Sequence, residues 1–272
     1  MSELILTRGS SRVLREINTV VTVMAREITL FFKSPATAIM SFAMPLVMMG
    51  MIGGNLMQNM TGGLNFEFGA YMLVGMLVAM IFMMTTMGMT SLVDDHDIDF
   101  NQEMLVSPVS RYSIVIGKIL GCGFAAVMSM AGTLIVGVIM GINLPIGKLL
   151  MILALSPLMV LSGGAMAMII IGLIKNKKAA NFAVMVITMP QMFLSGAIIP
   201  VGNSTGTLLV LNRLMPMTYS LDLARSVVYA GSPEYDSVVM FNPAINFAAI
   251  AILTIVCLII GTFFFARSEK NR

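Results

Sequence analysis

The sequence is poor in charge. Asp, Glu, Lys and Arg make up 11% of the 272 residues, while hydrophobic types make up 58%. That is about half the charged share of a soluble domain, too little polar surface to cover a core of this size, so the bilayer is the expected solvent. Histidine occurs once, at His96, which leaves a Ser-His-Asp or Cys-His nucleophilic site almost nothing to work with. No GxxxxGK[ST] phosphate loop is present. The two cysteines, Cys122 and Cys257, both fall in apolar runs and read as small buried hydrophobes rather than a disulfide or metal pair. The first thirty residues carry charge throughout, so no cleavable signal peptide is expected.

Six uncharged stretches can each supply the roughly 20 helical residues that a crossing needs. They are Ala36–Met57, Phe68–Val93, Ile119–Gly147, Leu149–Ile174, Ala179–Val201 and Ser237–Ala266. The helices are placed at 36–57, 68–93, 113–142, 149–174, 180–201 and 243–266. Their interiors lack Asp, Glu, Arg and His, and Lys118 is read at a cytoplasmic end. A proton- or sodium-driven carrier keeps such groups at mid-membrane. Uphill transport would therefore need energy from another polypeptide.

With the N-terminus inside, thirteen Lys and Arg fall on the cytoplasmic side and only Lys148, Arg213 and Arg225 outside, a strong positive-inside bias. The expectation is a multi-pass plasma-membrane protein, prokaryotic, with both termini cytoplasmic. Residues 202–236, with apolar patches too short to span and a break at Pro216, read as short half-immersed outer helices.

Residues 12–33 are amphipathic. Arg12, Arg15, Thr19, Thr22, Arg26, Thr29 and Lys33 recur at helical spacing, with Val13, Ile17, Val20, Met24, Ile28 and Phe31 opposite. The helix either lies in the cytoplasmic interface, with Arg12, Arg15, Arg26 and Lys33 at anionic headgroups, or docks on protein. Gly117, Gly121, Ala125 and Ser129 form a four-residue stripe that permits close helix packing or a moving seam. The 30 methionines fit adaptable packing or a surface for varied hydrophobic cargo. Thioether copper(I) handling is a weaker reading.

Five of the thirteen acids crowd into residues 94–103: Asp94, Asp95, Asp97, Asp99 and Glu103. The run mimics the start of an EF-hand, yet Phe100 and Val106 stand where Gly and Glu are needed. It leads into "EMLVSP", a short helix ended at Ser107-Pro108. Met104 and Leu105 suit an apolar notch, and Asp97, Asp99 and Glu103 suit basic residues around it. Arg111 follows at the start of the third span. A docking loop for a cytoplasmic partner explains both the charge and the break.

"FNQEMLVSPVSRYSIVIGKILG" (100–121) resembles the first cytoplasmic loop of type-2 ABC exporter permeases. "FLSGAIIPV" (193–201) and "LNRLMPMTYSLDLAR" (211–225) resemble that family's fifth span and outer helices. The multidrug or daunorubicin-resistance group is the nearest in character. The resemblance implies an all-α membrane fold: one permease domain over 1–272, with an N-terminal interfacial helix, six transmembrane helices and outer helices between the fifth and sixth. It implies a second permease copy, as homodimer or heterodimer, and separate ABC ATPase subunits that bind ATP and Mg. The chain itself would carry no catalytic, cofactor or metal residue and take no nucleic acid. The loop 94–112 would couple to the ATPase through Asp99, Glu103, Met104, Leu105, Ser107, Pro108 and Arg111. The acidic "DDHDID" departs from the mixed charge usual upstream of the motif and implies a basic docking groove. The cargo would be drug-like or lipid-linked; a polysaccharide or peptide exporter and a non-transporting ATPase scaffold are the alternatives.

Overall fold

The computed structural model describes residues 12–60, 66–94, 110–142, 144–174, 176–201 and 205–270, and among these the regular structure is helical. Helix α1 (Arg12–Lys33) passes into α2 (Pro35–Val47) through Ser34 alone. Pro35 has no amide hydrogen to continue the first helix and suits the first turn of the next. The Ser34 hydroxyl accepts the Thr37 N–H at 3.4 Å. Beyond Pro45 the ladder widens to π spacing over Met48–Gly53 before α3 (Gly54–Met60).

Helix α4 (Phe68–Met89) is the centre of the bundle. It is apolar all round, and Met72, Met76, Leu77, Met80, Ile81 and Phe82 are sealed from solvent, as a helix with no polar face must be. Many of the methionines are thus core packing. After Thr90, α5 (Ser91–Asp94) ends the described segment. Helix α6 (Arg111–Ile139) ends on Gly141, whose φ of 78° lets Ile142 N–H reach Gly137 O at 2.8 Å and Gly141 N–H reach Val138 O at 3.0 Å. That pair of bonds satisfies carbonyls the helix end would otherwise strand. Helix α7 (Ile146–Leu173) follows directly. The last helix, α12 (Pro243–Lys270), lies against α7 where Gly172 and Gly261 let backbones meet; a Cβ on Gly261 would stand 2.8 Å from Ile169 N.

Among the described residues, five helical segments are long and apolar enough to cross a membrane: Pro35–Leu56, Phe68–Val93, Arg111–Ile139, Ile146–Leu173 and Tyr235–Phe265. The segment expected at 180–201 differs. It forms α8 (Lys177–Leu194), 18 residues long, and leaves the helix at Ser195. At 1.5 Å per residue that is about 27 Å, just short of a hydrocarbon core of about 30 Å. Asn181, Pro190 and Gln191 dilute its apolar character. Gln191 is buried and its Nε2 lies 3.2 Å from Met166 Sδ, so this polar group faces the bundle. Beyond α8, where short helices are expected, come α9 (Thr207–Leu214), α10 (Pro216–Val228) and the single turn α11 (Tyr235–Val238).

Candidate functional site

Of the residues expected to couple to an ATPase, Asp99, Glu103, Met104, Leu105, Ser107 and Pro108 lie outside the described residues. Both anchors of the loop are described. On one side α5 closes at Asp94; on the other Ser110 caps α6, its hydroxyl accepting the Tyr112 N–H at 3.3 Å. The Ser110 N–H itself donates to both carboxylate oxygens of Glu16, at 3.2 and 3.0 Å. The exit of the loop is therefore tied to α1, and Arg111 is the first helical residue after that tie.

The stripe on α6 serves the same helix. A Cβ on Gly117 would stand 2.8 Å from Val20 O and 3.0 Å from Val23 Cβ, and one on Gly121 would collide with Glu27 Cβ. The two glycines thus admit α1, not another membrane span. Ser129, further along, is buried with its hydroxyl on Ala126 O at 2.6 Å, and Ala125 lines a cavity beside Gly121. Gly132, beyond the stripe, makes room for Phe42 of α2. Phe31 and Phe32 close the contact edge-on and tilted against Phe124 at 5.5 and 5.6 Å.

A buried ion pair sits inside this seam. Lys118 Nζ donates to Glu27 Oε1 at 2.8 Å, and Arg26 reaches the same oxygen at 3.0 Å. Lys118 is only 2% exposed. It stands two turns into α6, near the end of the helix that the loop enters. Sequence reasoning missed Glu16 and Glu27. The signal was present: two acids eleven residues apart are just over three helical turns apart and share a face. In a helix otherwise dotted with Arg and Lys, that face is the one turned to α6. Arg15 and Lys33 are exposed. So are the apolar Val13, Leu14 and Ile17, so α1 docks on protein by one flank and leaves a second, apolar flank uncovered.

The opposite end of the bundle holds a second polar cluster, on α10. Arg225 is buried, donates to Gly196 O at 2.7 Å and stacks 3.5 Å over the Tyr71 ring, whose hydroxyl donates to the same carbonyl at 3.0 Å. Burial pulls the Arg225 guanidinium below its usual range, against the charge of Asp222; burial likewise pushes the Tyr229 phenol up, so it stays neutral. Asp222, also buried, accepts the N–H groups of Met240 and Phe241 at 2.8 Å each and Asn246 Nδ2 at 2.7 Å. One helix thus fixes the turn after α8 and the entry of α12. Gly75 lets that turn seat on α4, since a Cβ there would overlap Ala197 O.

Among the described residues no group of three or more His, Cys, Asp or Glu could hold a metal ion. No curated protein matches the chain. The family model described as ABC-2 type transporter matches residues 18–229, from within α1 through the full length of α10. With its apolar helices and its amphipathic α1 locked to the third span, the chain belongs to the ABC-2 type transporter family, as a multi-pass membrane permease.

Proposed function

We propose that this permease is the membrane half of an ATP-driven exporter and that a separate ATPase, holding ATP and Mg, drives it through residues 94–112. The observation that carries the reading is the Glu16 bond to Ser110 N–H, which joins the end of that loop to both α1 and α6. A push on the loop enters a helix pair that has no slack: glycine contacts and a buried ion pair fix one against the other. The face of the loop toward the ATPase is Met104 and Leu105, ringed by Asp97, Asp99 and Glu103. Two permease copies, identical or paired with a related chain, complete the transporter, and both termini face the cytoplasm. The cargo is hydrophobic or amphipathic.

The test is co-purification of the ATPase together with ATP-dependent cargo movement in liposomes. Leu105→Asp and Glu103→Arg are expected to abolish transport and loosen or uncouple the ATPase with the permease still inserted. Asp95→Asn, at the rim, is expected to change little, because exposed rim charges tune association more than they hold it. Full binding and transport in both Leu105→Asp and Glu103→Arg would remove the loop from the mechanism.

A further inference from the structure

Between α1, α2, the end of α4 and the start of α6 lies a cavity of about 570 Å³, the size that takes a drug-sized ligand. Its apolar wall is Phe31, Met44 and Met84, with Leu30, Met40 and Met87 exposed among its lining. Its polar wall has an unusual uniformity. Ser41 donates its hydroxyl hydrogen to Thr37 O at 2.9 Å, Thr90 to Met87 O at 2.7 Å and Ser91 to Gly88 O at 2.8 Å. Ser34 and Thr37 bond to each other at 2.8 Å, one hydroxyl donating and the other keeping its hydrogen. A hydroxyl has one hydrogen to give, so once it is spent on the helix only lone pairs are left for a ligand. The ion pair in the wall, Lys118 with Glu27, is engaged with itself.

We infer that this cavity binds an uncharged amphiphile: an apolar body of drug size carrying hydroxyl, amide or aromatic-amine hydrogens. Such a molecule gives its donors to the hydroxyl oxygens and its body to phenylalanine and thioether. A charged ligand of either sign would find Lys118 and Glu27 already paired with each other in the wall, and an anion would meet mainly hydroxyl oxygens whose hydrogens are spent on the helices. The inference rests on the export reading only in making this amphiphile cargo; binding itself needs no ATPase.

Cys122 lines the cavity, and the other cysteine, Cys257, is on the last span, so a Cys257→Ser permease carries its own reporter. In nanodiscs without ATPase, alkylation of Cys122 by N-ethylmaleimide is followed by intact mass. Saturating 1-aminoanthracene, a neutral polycycle with amine hydrogens, is expected to slow it at least ~10-fold, since a bound body would occlude the thiol. Anthracene, with no donor, and 9-anthracenecarboxylate are expected to protect far more weakly. Thr37→Val with Ser91→Ala removes two acceptors and is expected to raise the half-protecting concentration about tenfold, each lost bond being a factor of a few. Met44→Trp fills the space and is expected to end protection. An unreactive Cys122, equal protection by anthracene, or unchanged protection in both variants would overturn the inference. Intact binding with no ATP-dependent movement of the same probe would instead remove its role as cargo and count against the export reading.

Discussion

Glu27 is the residue on which the α1–α6 seam turns. Its carboxylate answers Lys118 inside the contact and its Cβ lies against Gly121. Glu27→Gln keeps the shape and removes the charge, so it is expected to cost about 2 kcal/mol, the worth of a charge-assisted bond in a buried setting. Thermal unfolding of the purified permease measures it. Gly121→Val tests the same seam by volume. The new methyls meet the root of a side chain, not its flexible tip, and the expected cost is about 1–3 kcal/mol. Gly147→Ala, where a Cβ meets nothing within 4 Å, is the matched control and is expected to be neutral. A seam that merely happened to be close would yield to Gly121→Val as easily as the control does.

At the scale of elements, α1 is a brace across the start of the third span. Its two acids, about three turns apart on α1, contact Ser110 at the start of α6 and Lys118 about two turns further on. Glu16→Gln is expected to speed hydrogen exchange at the Ser110 amide about tenfold, matching the loss of roughly 1.4 kcal/mol from a bond to a charged acceptor. Exchange in the sealed middle of α4, around Met76 and Met80, should not move. At the other end α10 braces the turn after α8 and the start of α12. Asp222→Asn leaves one carbonyl oxygen for three donors and is expected to lower thermal stability by about 1–3 kcal/mol, with exchange rising first at Met240 and Phe241. The loss of both ends' effects together would show that the bundle loosens as a whole rather than at its braces.

At the scale of the whole molecule, the charges buried among the described residues, Lys118 at one end and Asp222 and Arg225 at the other, are separated by an uncharged interior of apolar, Ser and Thr side chains. The orientation has a direct check. In a permease with Cys122 and Cys257 replaced by Ser, cysteine introduced at Ser232 is expected to label from outside intact cells, and at Ser107 only after permeabilisation. Reversed accessibility would turn the molecule over and with it the assignment of the loop to an ATPase.

The sequence by itself determined that the chain is a helical membrane protein, roughly where its helices begin and end, and that its charge is gathered at the ends. These are local properties: hydropathy summed over about twenty residues, prolines and capping residues at the breaks. It also marked the loop 94–112 and the glycine stripe as special. The tertiary structure decided what the stripe is for. Gly117 and Gly121 meet Val20, Met24 and Glu27, nearly a hundred residues earlier, and no periodicity within α6 names its partner. It likewise decided that Arg225, read from sequence as one of three outside charges, is buried on Tyr71 and Gly196. It cut the expected fifth span short, because whether Pro190 and Gln191 face lipid or the bundle depends on neighbours, not on spacing. And it left a cavity beside α1, since a void is a property of several helices at once and of no single segment.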